Sequence, residues 1–304
     1  MNVISKYSEI YGLFKAEFPA LEAVCNEPMK NHTSFHIGGN ADIFVMTKSE
    51  DEIICAIAFF KRHLVPLTII GNGSNLLVSD NGIEGAVICI GKSFSDVSVN
   101  GSKITASAGA LLSSIAQTAL KHSLTGFEFA SGIPGSLGGA IVMNAGAYGG
   151  EMKDCVVKTR YLDQNGNVCE CIGDEHGFSY RKSRFTNGEI ILSATLELKE
   201  GNADAIKEEM HSLAAKRREK QPLEYPSAGS TFKRPEGAFA AKLIDDAGLR
   251  GYCVGDAQVS EKHCGFVVNK GNASFDDVTK LMTHIQKVVK EKFGYDLEPE
   301  VKIL

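Results

Sequence analysis

Two glycine-rich stretches have the residue types needed to hold an anionic ligand. In the first, Gly71-Asn72-Gly73-Ser74-Asn75-Leu76-Leu77-Val78, the glycines let backbone N–H groups approach a phosphate, and Ser74 and Asn75 add side-chain donors. The second, Ser131-Gly132-Ile133-Pro134-Gly135-Ser136-Leu137-Gly138-Gly139-Ala140, concentrates glycine and hydroxyls around one rigid proline, and Met143-Asn144-Ala145-Gly146-Ala147-Tyr148-Gly149-Gly150 follows it. Neither is a dinucleotide fingerprint or a P-loop: Leu76 stands where a third glycine would be needed, and no Gly-Lys-Ser/Thr occurs in either. Phosphates held by N–H and hydroxyl groups, without lysine, suit a permanently bound dinucleotide better than a phosphate undergoing transfer. A single Gly-x-Gly is more often a plain turn, so the glycines alone leave a dinucleotide and tight packing as equal alternatives.

Metal chemistry has weaker support. Cys169 and Cys171 are one residue apart and His263 abuts Cys264, and neither arrangement has Cys-x-x-Cys or His-x-x-x-His spacing. In a strand Cys169 and Cys171 share one face, which is ordinary packing. No metal is expected, and the eight cysteines are expected to be reduced thiols.

The elements around these loops follow from periodicity. Ile4, Tyr7, Tyr11, Phe14, Phe18 and Leu21 recur at helical spacing. A strand over 43–46, a helix capped by a Ser49/Glu52 box to about Lys61, and a strand over 66–70 lead into the first glycine loop. Next come a strand over 86–90, a hairpin at Asn100-Gly101 with the type I′ dipeptide, and a helix over 111–121. The second glycine stretch is followed by a hairpin at Asn165-Gly166 and a strand over 190–198. Asn202 caps a charged helix to Lys220, two further helices cover 238–247 and 274–293, and the end, 297–304, reads as a strand. Strands, helices and hairpins mixed in this way predict an α+β architecture, not a doubly wound parallel sheet.

Composition limits the partners. With 304 residues and 43% hydrophobic content the chain can form two or three packed units and enclose a sizeable ligand. A net charge of -5 without any dense Lys/Arg block argues against nucleic acid and anionic membranes. Lys6, Glu9, Lys15 and Glu17 interrupt the apolar N-terminal residues, so neither a signal peptide nor a membrane span is expected, and the location is expected to be cytoplasmic. A monomer or weak dimer is expected.

Taken together, Gly71 to Asp80, Ser131 to Ala140 and Met143 to Gly150 closely resemble the UDP-N-acetylenolpyruvoylglucosamine reductase family. Further segments agree in the family's order: Tyr180-Arg181-Lys182-Ser183-Arg184, Ser227-Ala228-Gly229-Ser230-Thr231-Phe232-Lys233, Leu243-Ile244-Asp245 and Glu298-Pro299-Glu300-Val301. The resemblance covers nearly the whole chain.

It implies a vanillyl-alcohol-oxidase (PCMH) type FAD-binding fold with two α+β subdomains, 1–79 and 80–201. A C-terminal substrate domain, 202–304, would follow, its last strand returning to the FAD-binding part. FAD would lie on Gly71, Asn72, Gly73, Ser74, Asn75 and Leu76 and on Ser131, Gly132, Ile133, Pro134, Gly138, Gly139 and Ala140, with Asn144 and Gly146 beyond. No His or Cys matches a covalent flavin attachment, so FAD is expected to be non-covalent. The implied reaction uses NADPH to reduce the enolpyruvyl ether of a UDP-sugar. Arg181 would bind the carboxylate, Glu300 would act beside it, and Ser230 would donate the proton. Tyr180, Lys233, Arg234, Arg250 and Gln258 are implied substrate contacts. The chain lacks the family's inserted tyrosine loop and resembles its shorter class; Tyr225 is one candidate for closing the site. An oxidase on the same fold and a non-catalytic flavin-binding or nucleotide-sugar-binding module are the rival readings.

Overall fold

The computed structural model describes residues 7–304, so Ile4 of the N-terminal stripe lies outside the described residues. The rest of that stripe does what its spacing predicts. The helix Ser8–Glu17 buries Phe14, whose ring lies 4.9 to 5.4 Å from those of Phe18, Phe59 and Phe60. The next helix, Glu50–Arg62, begins at Ser49, which accepts from the Glu52 N–H at 3.2 Å. The Glu52 carboxylate takes the Lys48 N–H instead of that of Ser49, so the expected capping box forms only in half.

The chain divides into two compact units. Residues up to 26, 42–72 and 84–217 form the first, and 27–41, 73–83 and 218–304 the second. The division passes between Asn72 and Gly73 in the first glycine loop, and between Arg217 and Arg218 inside the helix Ala203–Lys220. The composition change near Gly201 marks the start of that helix, where Asn202 Oδ1 accepts from the Ala205 N–H at 3.0 Å.

In the first unit a four-stranded sheet runs in the order Glu22–Pro28, Asn40–Met46, Ile83–Cys89, Leu67–Ile70, the last two parallel. A five-stranded antiparallel sheet has the order Val168–Ile172, Val156–Leu162, Ile190–Glu197, Lys103–Ser107, Val97–Asn100. The helices Leu112–Lys121 and Leu137–Val142 pack on it and bury Leu112, Ile115, Leu137 and Ile141. The first hairpin differs from its expected turn. Asn100 pairs with Lys103, so the loop residues are Gly101 and Ser102, and of these only Gly101 has positive φ, at 58°. A type I′ turn needs positive φ at both.

The second unit is built on a three-stranded antiparallel sheet, Cys253–Val254, Ala257–Val259 and Val267–Asn269. The helix Phe275–Phe293 covers it with Val278, Leu281, Met282, Ile285 and Val289, held at its start by a Ser274/Asp277 capping box and stopped at Gly294, φ 77°. The expected terminal strand over 297–304 is much shorter. Lys302–Ile303 pairs in parallel with Leu76–Leu77, and upstream there is a single bridge between Pro299 and Phe232. Pro299 has no N–H and cannot extend a ladder.

Candidate functional site

The two glycine loops meet inside the first unit. The Asn72 side-chain amide donates to the Pro134 carbonyl at 2.6 Å. A Cβ on Gly71 would lie 2.4 Å from Ser136 Oγ, so a side chain there would displace that hydroxyl. Beside this junction lies a cavity of about 420 Å³, a volume typical of small-molecule sites. Gly71, Ser136, Gly138 and Gly139 supply its backbone-rich wall, and Ile57, Ile69, Leu162, Phe185 and Ile190 its apolar one. Gly139 lies in that wall, yet a Cβ built on it would meet nothing within 4 Å. Gly139 is exposed, and no protein group packs against its Cβ position.

Some donors expected from sequence are already engaged. Gly138 N–H donates to the Ala108 carbonyl at 2.8 Å and Leu137 N–H to that of Ala110 at 2.9 Å, which braces the loop. Ser131 Oγ donates to the Glu128 carbonyl and Ile133 N–H to that of Ala130. A cation unseen in the sequence reading stands here. Arg217 lies against the loop, its Cδ 3.3 Å from a Cβ built on Gly132. Burial pushes its pKa down, with Tyr148 opposing, but a guanidinium so placed remains charged at neutral pH. Its helix reads as a strongly charged element in which one arginine does not stand out, so nothing in the sequence marked it. Gly73, Asn75 and Leu76 fall in the second unit. A Cβ on Gly73 would overlap the His32 carbonyl, Asn75 Nδ2 donates to the Glu300 carbonyl at 3.1 Å, and Leu76 pairs with Lys302. Ser74 beside them is half-buried.

Tyr180 and Arg181 occupy the tip of a tight turn in the first unit, closed by Ser179 N–H to Lys182 O at 3.0 Å and its reciprocal at 3.2 Å. Arg181 has φ 55°, a left-handed backbone that costs energy outside glycine and persists only where surroundings enforce it. Those surroundings are visible. Ser183 Oγ donates to the Val142 carbonyl, and Asn144, fully buried with φ 41°, donates to the Ser179 carbonyl and Glu151 Oε2, each at 3.0 Å. Asn144 Oδ1 also accepts from Lys153 N–H. Its amide group thus clamps the arginine turn. The guanidinium lies 5.1 Å from the Tyr180 ring and donates to the Gly146 carbonyl at 3.4 Å. Burial would raise the Glu151 carboxyl, but hydrogen bonds from Lys153 and Asn144, with the charges of Lys153 and Arg181, hold it below the usual range.

In the second unit, Ser230 follows Gly229, which has φ 77°. The loop is tied at Ser227, where Ser34 Oγ donates to the carbonyl at 2.7 Å, and at Thr231, whose Oγ1 accepts from Val267 N–H at 2.9 Å. Glu300 N–H donates to the Thr231 carbonyl at 2.9 Å and Lys233 N–H to that of Glu298 at 2.8 Å. The segments carrying Ser230 and Glu300, 70 positions apart in sequence, are therefore neighbours. Lys233 Nζ pairs with Glu298, Arg234 lies 4.5 Å from the Phe239 ring, and Arg250 forks onto Asp245 at 2.6 and 3.0 Å. Gln258 donates to the Gly251 carbonyl at 3.2 Å. Lys270 Nζ sits 3.7 Å from the Tyr225 ring.

The eight cysteines are unpaired. Cys89, whose Sγ is 3.8 Å from the Gly71 carbonyl, is pushed up to about 11 by burial. Cys155 rises to about 12 through burial and the neighbouring Asp154. Among the described residues no cluster of three or more His, Cys, Asp or Glu is placed to hold a metal, and no helix is long and apolar enough to cross a membrane.

Comparison with known proteins shows the family to which the chain belongs. Residues 41–172 match the family described as FAD binding domain, and 221–304 the C-terminal domain of UDP-N-acetylenolpyruvoylglucosamine reductase. The reductase of that name from Caldanaerobacter subterraneus subsp. tengcongensis is 58% identical over 280 residues, covering 92% of each chain. Its counterpart from Clostridioides difficile is 54% identical with the same coverage. The crystal structure of UDP-N-acetylenolpyruvylglucosamine reductase from Thermus caldophilus superposes with a TM-score of 0.80 at 35% identity, over 93% of this chain and 98% of that one.

Proposed function

Since the chain belongs to the UDP-N-acetylenolpyruvoylglucosamine reductase family, with its PCMH-type α+β fold and FAD-dependent oxidoreductase activity in peptidoglycan synthesis, we propose that it uses NADPH to convert UDP-N-acetylglucosamine enolpyruvate into UDP-N-acetylmuramate. The pairing of the Ser230 loop with the Glu300 segment carries this reading, because it supports two proton-handling groups at one place.

FAD, when bound, would supply the hydride chemistry that links NADPH to the enolpyruvyl group. Gly71, Gly138 and Gly139 line the cavity that would take its adenosine portion, and at Gly139 no protein group occupies the Cβ position. Arg217 supports binding of the negative pyrophosphate. Non-covalent attachment fits a Cys89 thiol that burial keeps protonated.

An enol ether is a poor hydride acceptor, so the protein must draw charge toward the substrate carboxylate. Arg181 does this with a planar fork that binds the carboxylate and the more charged enolate at two points. Glu300 acts on the same developing charge. Ser230 delivers the proton to the second carbon, a role open to a weak acid because the enolate is strongly basic. Tyr180, Lys233, Arg234, Arg250 and Gln258 contact the substrate, the last four after exchanging their internal partners for it. Residues 1–79 and 80–201 hold FAD and 202–304 the sugar nucleotide. The enzyme works in the cytoplasm as a monomer or weak dimer.

Anaerobic NADPH oxidation, followed by absorbance with and without the UDP-enolpyruvyl sugar, tests the proposal. Substrate-dependent oxidation with one lactyl ether formed per NADPH is expected. Rapid peroxide production coupled to sugar oxidation would instead show an oxidase.

A further inference from the structure

The cavity of the first unit carries one polar group that the protein leaves unanswered. Among the described residues Glu189 Oε2 is the buried side-chain oxygen without a hydrogen-bond partner, and Glu189 belongs to the cavity wall. A buried carboxylate oxygen left bare is costly, and such groups usually await a ligand or water. The other charged groups on the same wall are engaged. Asp163 accepts from Asn165 and Asn167, and Lys61 donates to the Gln164 carbonyl at 2.7 Å.

The carboxylate is also held in place. Glu189 follows Gly188, whose φ of 97° ends the turn Arg184–Asn187, and it precedes the strand Ile190–Glu197. Arg184 stands 3.7 Å from Glu189 Oε1 and rests 5.4 Å from the Tyr161 ring and 5.9 Å from that of Phe185. One carboxylate oxygen thus lies near a cation, and the other has no hydrogen-bond partner.

Position along the strand selects the ligand group. Gly138 N–H binds Ala108 O, and Ala108 N–H binds Leu192 O, so the glycine loop is level with Leu192. Glu189 lies three residues earlier, roughly 10 Å away at strand rise. An adenosine monophosphate anchored at the glycine loop extends about that far to the exocyclic amine of its base, whereas its ribose hydroxyls fall well short. Ile69, Leu162 and Ile190 lie in the same wall and offer apolar surface to the faces of a purine. We propose that Glu189 reads the adenine of FAD, its free carboxylate oxygen accepting a hydrogen bond from the exocyclic amine. This rests on FAD as the cofactor, and it adds a residue that selects the dinucleotide over shorter flavins.

The test is equilibrium binding to apoprotein, read by quenching of flavin fluorescence. Three ligands are compared: FAD, FMN, and the FAD analogue whose adenine amine is replaced by hydrogen. Wild type should bind FAD about tenfold or more tightly than the analogue, as expected for a hydrogen bond to a charged group. Glu189→Leu should bind FAD and the analogue equally, and Glu189→Gln, which keeps an acceptor oxygen, should retain part of the preference. FMN affinity should be the same in all three proteins. A wild-type preference surviving in Glu189→Leu, equal losses for FAD and analogue, or a matching loss for FMN would overturn the assignment. Failure to bind any flavin in wild type would instead remove the FAD reading beneath it.

Discussion

Arg181 shows how a residue's role can be legible while its placement is not. Its type and its neighbours in Tyr180-Arg181-Lys182-Ser183 mark it, but no local pattern announces a left-handed arginine; that depends on Asn144, 37 positions earlier. The family resemblance implies Asn144 as a cofactor contact; in the structure its side chain also donates to Ser179 and Glu151 and accepts from Lys153. Asn144→Ala should lower unfolding free energy by about 2 kcal/mol, measured by urea denaturation, because buried partners lose their bonds. Arg181→Lys keeps the charge but not the fork. It should lower turnover with the UDP-enolpyruvyl sugar about a hundredfold while leaving NADPH-driven reduction of the bound cofactor unchanged in stopped-flow traces. Glu189 and Arg217 were invisible for a simpler reason: an isolated charge beside a glycine or on a charged helix looks like solvated surface.

Most elements follow from periodicity and caps, and the exceptions have local causes. Apolar spacing predicts the helices Glu50–Arg62, Leu112–Lys121 and Phe275–Phe293 to within two residues at either end. The Asn100 hairpin took a different turn because strand pairing extended to Lys103, and the terminal strand stopped short because Pro299 interrupts it. Pairing across long sequence separations decides both, and short-range pattern does not contain it. The glycine loops were legible as anion-binding candidates, but the bracing of Gly138 by Ala108 was not. Gly139 gives an element-level test, since its backbone lies outside the positive-φ region and the space at its Cβ belongs to the cavity. Gly139→Val should keep the thermal midpoint of the apoprotein within a few degrees and weaken FAD binding at least about tenfold, because branched bulk would occupy the ligand's place. Equal losses of stability and binding would assign Gly139 to packing.

At the scale of the whole molecule, the two units draw on segments that interleave along the chain, and residues 27–41 and 73–83 join the C-terminal third. Composition reports only local changes in chain chemistry, such as the one near Gly201 where a charged helix begins, so it could not reveal segments shared in this way. Buried thiols set how the fold responds to alkali. Burial pushes Cys89 up to about 11 and Cys155 up to about 12, above the usual thiol value of about 8.5. Above that value the unfolded chain releases protons that the folded chain keeps, so their stabilisation is full below it and is lost as pH rises toward 11 to 12. The thermal midpoint should fall between pH 8 and pH 10.5, and Cys155→Ala should show a shallower fall than wild type. The proposal that Ser230 protonates an intermediate stabilised by Arg181 and Glu300 is tested most directly by the two half-reactions of Ser230→Ala. Under anaerobic stopped-flow conditions, NADPH should bleach the bound cofactor at the wild-type rate, and recovery of its absorbance with the UDP-enolpyruvyl sugar should slow at least about a hundredfold. Recovery at the wild-type rate would contradict the account.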